Sequence, residues 1–195
     1  MTELNNLVIL VCGGIGAGKS VVVDEFVRMG ASAIEADRIG HQILRPAGAA
    51  YADVVERWPQ VLDAGGEIDR AALGAIVFSD SHELAHLEVM THPEIVRTIG
   101  EFTDAADGPV VVEVPLALAL PDVWKVVFVD APLDVRLDRA HQRGMSRGDA
   151  RRRANLQPER ETWLRLADHV IVNDGDLGAL RERSASVWQT IMDAQ

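Results

Sequence analysis

The composition of the chain is that of a folded globular protein. It has 195 residues, 48% of them hydrophobic and 25% charged, which disfavours disorder, collagen and coiled coil and allows a substantial core. Its longest apolar stretches, residues 7–12 and 114–120, are far shorter than the ~20 residues of a membrane span. The first six residues show no secretory pattern, and a lone cysteine, Cys12, excludes an internal disulfide. We therefore expect a cytoplasmic protein without a membrane partner.

Charge is distributed unevenly along the chain. Thirty acidic residues against nineteen basic ones give a net charge of -11, which argues against nucleic acid as a partner because phosphate backbones bind basic surfaces. Residues 136–165, however, contain nine arginines and only four acidic residues. This segment predicts a small, multiply charged anion as ligand, although a solvated helix face would give the same pattern.

Strands and helices alternate in the predicted order of elements. Five nearly continuous apolar runs predict buried parallel strands at residues 7–11, 32–36, 110–114, 126–130 and 169–172. Helical patterns cover residues 19–29, ending at Gly30, and two pieces within 134–157, with Ser146 as the N-cap of the second. Residues 39–102 are mainly helical, with turn signals at residues 45–46, 64–66 and 92–93.

This order predicts a three-layer α/β fold around a five-stranded parallel sheet. Ligands of such folds lie beyond the carboxyl ends of the strands, so the functional residues should gather there. We expect a core formed by residues 1–37, 103–135 and 166–195. A helical substrate lobe would span residues 38–102, and an arginine-rich lid would span residues 136–165.

The strongest motif follows the first strand directly. Residues 13–20 read Gly-Gly-Ile-Gly-Ala-Gly-Lys-Ser, which matches the phosphate-binding pattern GxxxxGKS in its strand-loop-helix setting. The backbone N–H groups of Gly14, Ile15, Gly16, Ala17 and Gly18 are predicted to point at phosphate oxygens. Lys19 would reach the β- and γ-phosphates of ATP, and Ser20 would bind Mg²⁺ through its hydroxyl.

Two other nucleotide-binding patterns, GxGxxG and NKxD, are not matched by the sequence. A dinucleotide-binding GxGxxG would need glycine where Lys19 stands. Neither of the two lysines, Lys19 and Lys125, lies in the NKxD setting by which typical GTPases read guanine. Cys12 adjoins the loop and is expected to be a buried packing residue rather than a nucleophile.

An acidic side chain at the end of the second strand is the candidate base. Glu35 and Asp37 would share one side of the chain while it stays extended. A carboxylate there could accept the proton of an alcohol that receives a phosphoryl group. An N-cap role for Asp37, in a helix from Arg38, explains the residue equally well.

Arginines near the predicted lid are candidates for offsetting charge on the phosphoryl group. Arg139 and Arg143 are four residues apart and share a helix face. Lid closure could bring both to the phosphoryl group in transfer. Arg153 is a third candidate, and each of the three could equally be a surface residue.

The ordered set of motifs resembles the dephospho-coenzyme A kinase family over nearly the whole chain. The matching segments are the loop, residues 36–39, 68–74, 77–78, 87–88, 92–93 and 114–116, then Arg139 with Arg143, Arg153 with Gln157, and residues 167–171 with Asn173 and Gly175. The loop alone is shared by a vast superfamily, whereas the ordered set is much more specific.

This resemblance implies a P-loop kinase that uses ATP and Mg²⁺ to phosphorylate the 3′-hydroxyl of dephospho-coenzyme A. It implies that Asp37 is the base and that Asn173 lies near the adenine of ATP. The residues implied on the substrate side are Asp37, Arg70, His92, Pro115 and Leu116. Two positions depart from the family pattern, which usually has aspartate at Glu35 and often glutamate at Ala119.

Three rival functions remain to be distinguished. His82-Glu83-Leu84-Ala85-His86 spells the zinc-protease pattern HExxH, but valine at position 89 resists the turn that would bring back His92 as third ligand. If the helix continued, His92 would lie about 9 Å beyond His86. The other rivals are a kinase for another small metabolite or nucleotide, and a nucleotide-binding relative without catalysis.

Overall fold

A five-stranded parallel sheet organises the chain. The computed structural model describes residues 7–114 and 124–194. The strands are β1 Val8–Cys12, β2 Ser32–Glu35, β3 Val110–Glu113, β4 Lys125–Asp130 and β5 His169–Val172. They are all parallel and lie in the order β2-β3-β1-β4-β5. Each predicted strand is confirmed to within one residue at either end. β1, β3 and most of β4 are buried as predicted, because a strand covered on both faces is a nearly continuous apolar run. The predicted burial is wrong for the edge strands, since β2 is partly or fully exposed along its length and only Ile171 of β5 is buried.

Helices cover both faces of the sheet. The helices outside the segment 36–101 are α1 Lys19–Arg28, α6 Leu133–Gln142, α7 Arg147–Asn155, α8 Arg160–Leu166 and α9 Leu177–Asp193. On one face Phe26 of α1 packs against Trp188 of α9, with ring centroids 5.2 Å apart. On the other face Trp163 of α8 stacks on Phe128 of β4, at 6.2 Å. The three-layer α/β fold is confirmed.

The described chain divides into two compact units, each with its own core. One unit, Ala36–Glu101, is helical; the other, here the sheet unit, contains the remaining described residues. The helices of the helical unit are α2 Ala36–Ile43, α3 Tyr51–Arg57, α4 Arg70–Val77 and most of α5 Ser81–Ala105, with a 3₁₀ turn at Pro59–Val61. Its core forms around Val54, Trp58 and Leu73.

The turn predicted at residues 92–93 is wrong, because α5 runs through Pro93 without interruption. Proline lacks an N–H, so the carbonyl four residues earlier, at Val89, loses its helical partner. Val89 is 74% exposed, and water can hydrate that carbonyl. The turn signals at residues 45–46 and 64–66 do lie between elements.

Two helices of the arginine-rich segment, α6 and α7, lie within two residues of their predicted bounds, whereas α8 is not predicted. Ser146 is the N-cap of α7, and its hydroxyl accepts a hydrogen bond from the backbone N–H of Asp149 at 3.0 Å. α6 ends just before Arg143, and Gly144 adopts a positive φ of 92° in the connection. Among the described residues, no helix combines the length and apolarity that a membrane span requires.

Candidate functional site

The phosphate-binding loop joins β1 to α1 at the carboxyl edge of the sheet. Gly18, in the left-handed region with φ 102°, is the N-cap of α1. As a glycine, Gly18 has no side chain to cap this helix, and the first turn of α1 contains no acidic residue. The positive end of the α1 dipole, without a capping side chain at Gly18 or an acid in the first turn, is suited to an anion.

Packing against the rest of the sheet unit also requires glycine in the loop. A Cβ at Gly13 would lie 2.6 Å from the carbonyl oxygen of Val129. A Cβ at Gly18 would overlap the side-chain nitrogen of Asn173. These glycines therefore allow the loop to approach the ends of β4 and β5.

Lys19 is folded back over the loop. Its Nζ donates a hydrogen bond to the carbonyl oxygen of Gly13 at 3.1 Å. The ammonium group thus lies at the Gly13 end of the loop. Cys12 is fully buried, as expected of a packing residue, and burial raises the pKa of its thiol to about 12.

The loop could hold Mg²⁺ through one hydroxyl. Ser20 is exposed in the first turn of α1. Mg²⁺ prefers oxygen ligands, keeps several waters and commonly takes few protein ligands besides substrate phosphates, so Ser20 suits it. Asp130, an acidic residue at the end of β4, is already paired with Arg160. One of its carboxylate oxygens accepts two hydrogen bonds from that guanidinium, at 2.7 and 2.9 Å.

Asn173 connects the loop to Arg139. Its side-chain amide is buried and donates to the carbonyl oxygen of Ala17 at 2.6 Å. Its side-chain oxygen accepts from Arg139 at 3.1 Å, and Arg139 also donates to the backbone oxygens of Asn173 and Gly175. Arg139 therefore lies against the turn after β5, on the Gly18 side of the loop.

A cavity of about 250 Å³ opens beside this turn. Its lining includes Gly18, Arg139, Arg143 and Asn173, together with the apolar side chains of Val21, Leu177 and Leu180. Apolar walls and two guanidinium groups are suited to a flat heteroaromatic ring, because guanidinium planes stack on such rings.

Two residues at the loop were not among the predicted site residues. The side-chain oxygen of Gln157 accepts a hydrogen bond from the backbone N–H of Ile15 at 2.8 Å. Arg136 of α6 packs directly on Gly14 and Gly16. Both belong to the arginine-rich segment that the sequence singled out, but spacing alone does not indicate which of its side chains reach the loop.

Asp37 lies in the helical unit, in the first turn of α2. The expectation of an extended chain from Glu35 to Asp37 is wrong, because β2 ends at Glu35 and α2 begins at Ala36. The N-cap alternative is also wrong, since Asp37 is the second residue of the helix. Asp37 is exposed, so its carboxylate is accessible to a substrate.

Asp37 shares the helical unit with His41 and Arg70. Arg70, the first residue of α4, makes a hydrogen bond with Nε2 of His41. Burial and the charge of Arg70 lower the pKa of His41, whereas the charge of Asp37 raises it. Asp37 and Arg70 therefore both lie within electrostatic range of His41. His41, one helical turn after Asp37, was not predicted.

Of the other substrate-side candidates, the structure describes His92. His92 lies in the middle of α5, partly exposed. Pro115 and Leu116, like the departure at Ala119, lie outside the described residues. Glu35 is exposed at the end of β2, in register with Glu113 of β3.

The HExxH pattern is part of the packing of the helical unit. Glu83 accepts hydrogen bonds from Arg57 at 2.8 Å and from the indole of Trp58 at 2.7 Å. These bonds lower the pKa of Glu83. His86 and His92 lie on one continuous helix, and the described residues contain no group of three metal-binding side chains.

Comparison with known proteins identifies the family. A family model described as dephospho-CoA kinase matches residues 7–178. The chain belongs to the dephospho-CoA kinase family. Dephospho-CoA kinase from Streptomyces avermitilis is 41% identical over 187 residues, covering 92% of this chain and 91% of that protein. The enzyme from Thermobifida fusca is 39% identical over 186 residues, covering 92% and 93%.

A solved structure of the family agrees with this assignment. The structure of dephospho-CoA kinase from Campylobacter jejuni superposes with a TM-score of 0.64 at 27% identity, covering 97% of this chain and 98% of the other. The resemblance seen in the sequence is thereby confirmed. The chain is a kinase with a P-loop nucleotide-binding fold.

Proposed function

We propose that the chain is a cytoplasmic enzyme that transfers the γ-phosphoryl group of ATP to the 3′-hydroxyl of dephospho-coenzyme A. The observation that carries the proposal is the GKS loop on an uncapped α1, in a chain that belongs to this family. The uncapped helix supports binding of the triphosphate. The family supports the choice of acceptor.

Nucleotide binding is assigned to the loop and the neighbouring cavity. Loop N–H groups and the α1 dipole hold the phosphates, and Lys19 exchanges its bond to Gly13 for phosphate oxygens. The adenine occupies the cavity lined by Val21, Leu177 and Leu180. Asn173 holds one wall of that cavity in place, because its side-chain amide is already hydrogen-bonded to Ala17 and Arg139.

Ser20 would hold Mg²⁺, which supplies positive charge to the β- and γ-phosphates when bound. Asp37 orients the acceptor hydroxyl and takes its proton as the oxygen attacks. Arg139 and Arg143 offset negative charge during transfer. Arg70 and His92 contribute to acceptor binding, as the family resemblance implies.

The decisive experiment is release of ADP from ATP and Mg²⁺, measured with and without dephospho-coenzyme A. We expect turnover only with this acceptor and a product phosphorylated at the 3′ position. AMP and pantetheine serve as control acceptors. Equal or faster turnover with AMP would indicate a nucleotide kinase, and ATP binding without turnover on any acceptor would indicate a non-catalytic relative.

A further inference from the structure

Arg136 packs against the phosphate-binding loop with both its main chain and its side chain. A Cβ at Gly16 would overlap the carbonyl group of Arg136, and a Cβ at Gly14 would overlap its guanidinium group. Two glycines of the loop are thus needed to admit this one residue of α6. Its guanidinium consequently lies at van der Waals distance from the loop backbone.

The position of the Arg136 guanidinium along the loop indicates which phosphate it would contact. Lys19 extends from α1 back to Gly13, where its Nζ is bonded to the carbonyl oxygen. The lysine of such a loop reaches the β- and γ-phosphates, so the Gly13 end is where the terminal phosphate belongs. Gly14, next to it, is the residue on which the Arg136 guanidinium lies.

The charge of Arg136 is incompletely balanced by the described residues. Its Nε is buried and has no hydrogen-bond partner among them. Asp130 is the carboxylate that acts on its pKa, but one oxygen of Asp130 already accepts two bonds from Arg160. Burial lowers the pKa of Arg136. A partly desolvated donor of this kind gains most from a charged acceptor.

There is space beside Arg136 for such an acceptor. Gly14, Asp130, Arg136 and Arg160 contribute to the lining of a cavity of about 370 Å³ in the sheet unit. This cavity is distinct from the one assigned to adenine, which is reached from Gly18 at the other end of the loop. An anionic group at Gly14 could therefore meet the Nη donors of the Arg136 guanidinium.

We propose that Arg136 binds the terminal phosphate of the nucleotide and makes the loop favour a triphosphate over a diphosphate. This inference rests on the proposed binding of ATP to the loop. Adenosine diphosphate has no group at that position, so the contact contributes to ATP binding alone. The two Nη donors of a guanidinium suit two oxygens of one phosphate.

The test compares two ligands on matched variants. Binding of the non-hydrolysable ATP analogue AMP-PNP and of ADP, both with Mg²⁺, is measured by calorimetry for the wild type, Arg136→Met and Arg136→Lys. Arg151→Met is the control, because Arg151 is an exposed arginine of the same segment, 3.9 Å from Asp134. The acceptor is left out, so the result is independent of whether dephospho-coenzyme A is the acceptor.

We expect Arg136→Met to weaken AMP-PNP binding about tenfold or more and ADP binding less than about twofold. Arg136→Lys should fall between, and Arg151→Met should match the wild type. If binding of both ligands weakened equally, so that the ratio of their affinities stayed unchanged, the proposal would be overturned. Arg136 would then have only a structural role at the loop. If Arg136→Met does not fold, the affinity ratio of Arg136→Lys decides in the same way.

Discussion

At the scale of single residues, the exposed carboxylate of Asp37 separates a chemical role from a structural one. Asp37 lies in the first turn of α2, where a negative charge also stabilises the helix dipole. Substitution by asparagine removes the charge and the basicity but keeps the shape. The contribution of this charge to helix stability is about 0.3–1 kcal/mol. The increase in activation free energy expected from loss of a general base is far larger.

We therefore predict that Asp37→Asn folds and binds ATP but loses turnover by about 100-fold or more. The control is Asp53→Asn, because Asp53 is also exposed in the first turn of a helix of the same unit. Steady-state ADP release measures the rate, and calorimetry measures ATP binding. Undiminished turnover of Asp37→Asn would exclude Asp37 as the base.

The lowered pKa of His41 predicts how the free energy of unfolding depends on pH. Burial and Arg70 lower its pKa from 6.5, so below that pH the unfolded chain binds more protons than the folded one. The contribution of His41 to stability is therefore complete above pH 6.5 and is lost as pH falls toward the folded pKa. We expect the free energy of unfolding to decline with acidification less in His41→Gln than in the wild type.

An NMR titration of the His41 ring checks the cause directly. Its midpoint should lie below 6.5 in the wild type and rise in Arg70→Gln, where one of the lowering charges is absent. A wild-type midpoint above 6.5 would contradict the prediction. So would a midpoint that Arg70→Gln leaves unchanged.

Sequence reasoning at this scale succeeds where chemistry requires one residue type at a fixed spacing. The loop from Gly13 to Ser20 is such a case. The contacts of Arg136 and Gln157 with the loop are not predicted, because they join residues more than a hundred positions apart. Gln157 is named only as part of the family resemblance, and sequence alone does not distinguish Arg136 from the other eight arginines of its segment. His41 is not predicted, because a spacing of four residues brings it beside Asp37 only if one helix contains both, and the sequence leaves Asp37 between a strand end and the N-cap of a helix from Arg38.

At the scale of elements, the inner strands β1, β3 and β4 were predictable because burial on both faces leaves an apolar run in the sequence, with turn residues at its ends. The start of α2 was not, since the residues after β2 suit a strand end and a helix start equally. Pro93 in α5 shows a further limit: an exposed carbonyl at Val89 tolerates a proline that local rules assign to a turn.

The bond from Ile15 to Gln157 couples the loop to the residues just after α7. We predict that Gln157→Met exposes the Ile15 N–H and speeds its hydrogen exchange by roughly five- to tenfold, since a neutral hydrogen bond contributes about 1 kcal/mol. Gln157→Glu keeps an oxygen acceptor and serves as the control. Unchanged exchange at Ile15 in Gln157→Met would show that this bond does not restrain the loop.

At the scale of the whole molecule, the two units have cores of different size. Among the described residues, the cluster joining α1 and α9 to the sheet contains fourteen buried hydrophobic residues, whereas the cluster of the helical unit contains six. Burial of apolar area is the main stabilising term in folding. The two units therefore need not open at the same free energy.

This difference predicts an order of local opening. In hydrogen exchange followed by mass spectrometry, peptides covering α3 and α4 should exchange earlier than those covering β1 and β4, since the latter lie in the larger core. Leu73→Ala should remove about 2–5 kcal/mol from the helical unit and widen the gap, because Leu73 is 3% exposed in the smaller cluster. The matched substitution Leu180→Ala, at 3% exposure in the larger cluster, should instead speed exchange in β1 and β4. If both substitutions accelerated all peptides alike, the chain would open as one cooperative unit, and the separate cores would have no separate stability.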